Sequence, residues 1–154
     1  MTNQAIDFAH AKVRGEWAEL RFMSRAAEHG LTITKPWGDS ARYDFAVEHR
    51  GRFLRVQVKC TRCRRWNSYV CNITANGKPY STAELDFIAA YVIPADVWYI
   101  IPTAATLGQQ TILLTPNRKY QRKHSRFDAY KEAWHLLRAD RLNSTNDPVI
   151  PTEV

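Results

Sequence analysis

The sequence predicts an α/β (α+β) domain with a central antiparallel hairpin, an N-terminal long helix and a C-terminal helix. Three observations carry that prediction. Residues 43–59, YDFAVEHRGRFLRVQVK, alternate apolar and polar side chains on both sides of Arg50-Gly51, the period of strands with one buried face. Near the N-terminus, Ile6, Ala9, Val13, Trp17, Leu20, Ser24 and Ala27 recur at three- and four-residue steps, which predicts the buried stripe of a helix. Residues 87–92 and 97–101 are almost unbroken apolar runs, as expected of strands buried on both faces in the middle of a sheet.

In chain order, the helix spans residues 4–29, and Gly30 stands where a helix C-cap needs a positive φ. Gly15 inside it costs about 1 kcal/mol relative to alanine, so it either admits a close backbone or divides an arm from a main helix. Residues 31–34 form a short strand, and Pro36-Trp-Gly-Asp-Ser a loop. In the hairpin, a two-residue loop at Arg50-Gly51 pairs His49 with Arg52. Counting outward sets Asp44 opposite Gln57, with Lys59 two residues on and on the same side of the sheet. A three-residue loop would slip the register and break this convergence.

After a basic cluster at residues 62–65, residues 66–73 read as a strand, and Asn76-Gly77 marks a tight turn. Ser81-Thr-Ala-Glu84 resembles a capping box before a helical turn ending near Asp86. The two apolar strands follow, joined by Pro94-Ala-Asp96, then a short strand at 111–114 closed by Pro116. Residues 117–126 are polar and basic. Ser125-Arg-Phe-Asp128 is placed to cap a final helix carrying Phe127, Tyr130, Trp134 and Leu137. The length suits a single domain at 1–139, with a flexible, proline-containing tail at 140–154.

Lysine and arginine outnumber the acids 22 to 15, a formal charge of +7, which favours a polyanionic partner. No apolar run has the length of a membrane span and no signal peptide opens the chain, so the expected location is the cytoplasm, with no membrane partner. Cys60, Cys63 and Cys71 are an odd number with no disulfide framework implied. Cys60 and Cys63 have zinc-ligand spacing, but no second such pair supplies the four ligands of a structural site, so free thiols are expected.

A helix acid at Glu19, Asp44 at the head of one strand and Gln57-Val-Lys59 on the next resemble the motif of the PD-(D/E)XK nuclease superfamily. RGEWAE, SARYDFAVEHRGRFLRVQVK and LDFIAAYVIPADVWYIIP carry the resemblance, over residues 14–102. The Gln-x-Lys form is similar to a branch containing intron homing endonucleases and archaeal Holliday-junction-resolvase-like proteins. The family implies a restriction-endonuclease-like core with a mixed β-sheet and a metal-dependent DNA endonuclease activity. It also implies Mg²⁺ (or Mn²⁺) held by Asp44, Gln57, the Val58 carbonyl and Glu19, with Lys59 acting on the attacking water or the phosphate charge. Glu16, one helical turn earlier, competes with Glu19 for the helix position. DNA is the implied partner, held by phosphate contacts from Arg42, Arg62, Arg64, Arg65, Arg118, Lys119, Arg122 and Lys123. A homo-oligomer, dimer or tetramer, would present two sites for two strands. The alternative is a catalytically inactive DNA-binding protein that retains the nuclease fold.

Overall fold

In a computed structural model of the chain, residues 5–117 and 125–138 are described. The predicted tail at 140–154 lies outside them, as do Arg118, Lys119, Arg122 and Lys123. One helix, α1 (Ala11–Glu28), packs on a five-stranded mixed sheet. The sheet is made of β1 (Thr32–Thr34), β2 (Phe45–His49), β3 (Arg52–Thr61), β8 (Phe87–Val92) and β9 (Val97–Pro102), in the spatial order β1-β2-β3-β8-β9. β3 and β8 are parallel, and the other neighbours are antiparallel. Between β3 and β8 the chain leaves to build β4 (Arg64–Arg65), β5 (Ser68–Asn72), β6 (Thr74–Ala75) and β7 (Lys78–Pro79). β10 (Thr111–Leu114) later pairs with β5, giving a small sheet β10-β5-β4.

The hairpin has the counted register. His49 pairs with Arg52 and Phe45 with Val56, and Arg50 (φ 52°) and Gly51 (φ 78°) make a turn with two positive φ angles, whose twist matches that of the strands. Asn76 and Gly77 do the same between β6 and β7. Gly30, at φ 71°, completes a Schellman motif, with Gly30 N–H bonded to Ala27 O and Leu31 N–H to Ala26 O.

Six expectations change. α1 begins at Ala11 rather than residue 4, because His10 caps it through Val13 N–H and Phe8 turns back to pack edge-on against Trp17. Its buried face is Ala18, Phe22 and Ala26, while Val13 and Leu20 of the predicted stripe are exposed. Phe22 decides this: it packs against Phe45, Trp98 and Trp134 at ring separations of 5.4–5.7 Å, and alanines one turn to either side let the helix approach. Trp66 belongs to the β4–β5 turn and not to a strand. Ser81–Glu84 closes the capping-box bond, Ser81 N–H to Glu84 Oε2, around a turn that never becomes a helix. The C-terminal segment is two short 3₁₀ turns, Asp128–Tyr130 and Trp134–Arg138, instead of one helix. Lys131 bridges to Tyr99, and Glu132 exchanges hydrogen bonds with Trp98 at a φ of 50°. This segment thus covers the edge of β9, which is the last strand of the sheet and not a middle one.

The central sheet separates two apolar clusters. One, containing Phe22, Val56, Val58 and Trp98, faces α1; the other, containing Ile88, Tyr99, Ile101 and Leu114, faces the small sheet.

Candidate active site

β2 stops where β3 continues, and this mismatch makes the site. Asp44 donates its N–H to Val56 O at 3.0 Å, which extends the ladder by one residue and sets Asp44 beside Gln57. Beyond that point β3 runs on through Val58, Lys59 and Cys60 with no β2 partner. Asp44 Oδ2 turns into the gap and accepts hydrogen bonds from Gln57 Nε2 and Val58 N–H, both at 2.8 Å. The N–H and C=O of one strand residue point to the same side, so the Val58 carbonyl lies on the Asp44 side as well.

The gap opens into a cleft of about 530 Å³. Its walls are Gly15, Ala18 and Glu19 of α1, Asp44, Gln57 to Cys60 of β3, and Asn72, Thr74 and Asn76. The buried face of α1 carries Glu19 into this cleft, while Glu16 is exposed and away from it. A Cβ at Gly15 would meet nothing within 4 Å; neither a close backbone nor a break in the helix explains this glycine, which leaves the cleft wall low. Glu19 Oε2 accepts a 2.7 Å hydrogen bond from Lys35, whose side chain is largely exposed. Lys59 reaches across to donate to Thr74 O at 2.9 Å, and its ammonium lies 5.5 Å from the Tyr80 ring centre.

Two titrating groups are displaced in opposite senses. Burial, reinforced by the Glu19 charge, raises the Asp44 carboxyl to about 6, although the Val58 and Gln57 hydrogen bonds and Lys59 pull it down. Burial lowers the Lys59 ammonium, against the pull of Asp44. Among the described residues no cation forms an ion pair with Asp44. Asp44 Oδ1, Glu19, the Gln57 amide and the Val58 carbonyl are oxygen donors bordering one cleft. That set fits a hard divalent cation such as Mg²⁺, which takes one or two carboxylates and keeps several waters. Among the described residues no three His, Cys, Asp or Glu side chains cluster as ligands for a metal ion, so the cleft offers two carboxylates and neutral oxygens and leaves the remaining positions to water. Cys60 is half-buried, Cys63 exposed and Cys71 buried, all with free thiols.

A scan against family models matches residues 9–137 to the PD-(D/E)XK endonuclease model. The chain belongs to the PD-(D/E)XK endonuclease family. Among solved structures it is similar to a bacterial homing endonuclease, I-Ssp6803I, at 30% identity and a TM-score of 0.72, covering 84% of this chain and 91% of that one. No curated protein matches the sequence significantly. The mixed sheet with one flanking helix is the restriction-endonuclease-like core of this family.

Within this PD-(D/E)XK chain, the other predicted residues are spread out. Arg42 is tied to Glu84 at 3.1 Å and lies 5.3 Å from the centre of the Tyr80 ring, which Lys59 also approaches. Arg62 lines a second hollow that shares Arg14, Cys60 and Asn72 with the cleft. Arg64 and Arg65 stand further out, on the exposed β4 strand. Three participants escaped sequence reasoning: Lys35 against Glu19, the Thr74 carbonyl under Lys59, and Tyr80 between two cations. No local pattern marks them, because each meets its partner across 15 residues or more. No helix of the described residues is long and apolar enough to cross a membrane.

Proposed function

We propose that this family member is a Mg²⁺-dependent (or Mn²⁺-dependent) DNA endonuclease that hydrolyses phosphodiester bonds. The observation that carries the reading is Asp44: a carboxylate drawn out of water, fixed by two N–H donors and, among the described residues, in no ion pair with a cation, beside a second acid. A bound divalent cation would supply the missing positive charge, stabilise charge developing on the phosphate and ease ionisation of water. Asp44 Oδ1 is the principal ligand in this reading, with Oδ2 spent on orienting the carboxylate. Glu19 supplies the second anionic oxygen and gives up Lys35 to do so, which costs little because an exposed ion pair is worth about 0–1 kcal/mol. Gln57 and the Val58 carbonyl add neutral oxygens. Lys59, held by Thr74 and lowered by burial, is placed to take a proton from the attacking water or to balance phosphate charge. The basic surface would hold duplex DNA through its phosphates, and likeness to a homing endonuclease supports duplex DNA as the substrate. A homo-oligomer would bring two such clefts to the two strands.

The second reading, a silent DNA-binding protein, draws on Gln57 standing where an acid would strengthen the metal site and on the Lys35–Glu19 pair filling the position of a cation. Purified protein with supercoiled plasmid decides between them. We expect nicking in Mg²⁺ or Mn²⁺ that EDTA abolishes and that Asp44→Ala or Lys59→Ala reduces at least a hundredfold. Salt-sensitive DNA binding with no metal-dependent nicking leaves the silent binder. Nicking that both substitutions leave intact removes this cleft as the active site.

A further inference from the structure

The β4–β5 hairpin is built in a way that neither the core nor the cleft requires. Arg65 pairs with Ser68, so Trp66 and Asn67 form a two-residue turn at its tip. Trp66 is 89% exposed and sits at φ 57°, a conformation that bulky residues rarely adopt and that glycine usually fills in such turns. Its carbonyl is held by Arg64 Nε at 3.0 Å, so the turn is fixed rather than loose. Strain combined with an exposed indole is a pattern that core packing does not select, and strain of this kind concentrates at ligand-contacting positions. Arg62, Arg64 and Arg65 are all exposed along the same hairpin, and among the described residues no carboxylate pairs with them. At its base the hairpin is pinned by Thr61 Oγ1 to Val70 O and by Val70 N–H to Cys63 O. There it opens on the hollow that adjoins the cleft of Asp44 and Lys59.

A two-stranded ribbon fits the major groove of B-DNA, where arginine pairs with guanine, asparagine with adenine, and apolar surface with the thymine methyl group. We propose that this hairpin tip is the sequence-reading element, entering the major groove beside the cleavage site, with Arg64, Arg65 and Asn67 on base edges and Trp66 against the base surface. The inference builds on the reading of the chain as a DNA endonuclease but does not require catalysis. It divides the work: the cleft handles a phosphate common to all sequences, and the hairpin supplies the discrimination that the cleft lacks.

The test is a binding selection from a random-sequence duplex pool in EDTA, so that the outcome is independent of cleavage. Wild-type protein, Trp66→Ala, Asn67→Ala and Arg64→Ala/Arg65→Ala are run in parallel, with Trp37→Ala as a control for another fully exposed tryptophan. We expect the wild-type pool to converge on a motif. The hairpin variants should flatten that motif by tenfold or more in preference at a few adjacent positions, while binding to unselected duplex falls less than threefold for Trp66→Ala and Asn67→Ala. The Trp37 variant should keep the motif. Circular dichroism and melting verify that each variant is folded, as substitutions at exposed positions permit. A wild-type pool that fails to converge, or variants that select the wild-type motif unchanged, overturns the proposal. Loss of plasmid nicking in Mg²⁺, by contrast, would strike only the catalytic reading.

Discussion

Asp44 and Asp86 are two carboxylates that do the same structural job on opposite edges of β3 and end in opposite electrostatic states. Asp44 donates its N–H to Val56 O and accepts Val58 N–H at 2.8 Å. Asp86 donates its N–H to Arg55 O and accepts Arg55 N–H at 2.7 Å. Each pins the start of a neighbouring strand to β3. Asp86 is then closed off, because the Arg55 guanidinium binds both of its oxygens at 3.2 Å. Asp44 accepts hydrogen bonds only from neutral donors, and the Glu19 charge acts on it more strongly than the opposing Lys59 charge. In the proposed reading, this difference separates a structural acid from a metal ligand: backbone anchoring is shared, and the lack of an ion pair among the described residues is what leaves Asp44 to a metal.

The largest expected effect breaks the pair apart. Asp44→Asn should lower Mg²⁺-dependent cleavage by about 10³-fold, the loss of several kcal/mol of metal-held transition-state stabilisation. The same substitution should raise the stability of the metal-free protein above pH 6, because a neutral amide can still accept from Val58 N–H. Asp86→Asn should behave inversely, destabilising the fold by about 1 kcal/mol through the unpaired Arg55 and reducing cleavage only as far as unfolding does. Equal effects of the two substitutions on kcat would dissolve the distinction.

A smaller shift is expected from Gln57→Glu, which adds a third acid to the cleft. Greater ligand charge should lower the Mg²⁺ concentration for half-maximal cleavage by about tenfold. In EDTA, the added like charge should cost on the order of 1 kcal/mol in a melting experiment. Unchanged metal dependence would mean that residue 57 does not face the ion.

The last expected effect is one of pH. The Asp44 carboxyl lies at about 6 in the fold against 3.8 ordinarily, so the folded chain holds this proton more tightly than the unfolded chain does. Ionisation therefore opposes folding as pH rises from about 4 to about 6, by up to about 3 kcal/mol before solvent screening reduces it. In EDTA, the melting-temperature gap between Asp44→Asn and wild type should be near zero at pH 4, widen up to pH 6 and then level off. Mg²⁺ should narrow it. A gap that shrinks with rising pH, or one that ignores Mg²⁺, contradicts a buried carboxylate awaiting a cation.

How much was legible in the sequence follows from how local each signal is. The hairpin register could be counted because a two-residue turn and period-two alternation fix every pairing from His49–Arg52 outward. The helix face could not, since apolar residues at three- and four-residue steps fitted a stripe through Val13 and Leu20 as well as one through Ala18, Phe22 and Ala26. Only Phe45, Trp98 and Trp134, far away in sequence, select between them. The C-terminal helix failed for a similar reason: helical spacing was present, but the open edge of β9 offered Lys131 and Glu132 better backbone partners than a helix could.

The sequence by itself determined the central hairpin, the side on which Asp44, Gln57 and Lys59 meet, and the motif of the endonuclease family. These rest on neighbours along the chain and on a turn whose geometry its own residues impose. Tertiary structure alone decided which helix acid faces Asp44, that β2 ends early enough to open a cleft, and that Arg55 forms an ion pair with Asp86 while, among the described residues, no cation does so with Asp44. Charge compensation and burial depend on which distant groups share a space, and no local pattern records that.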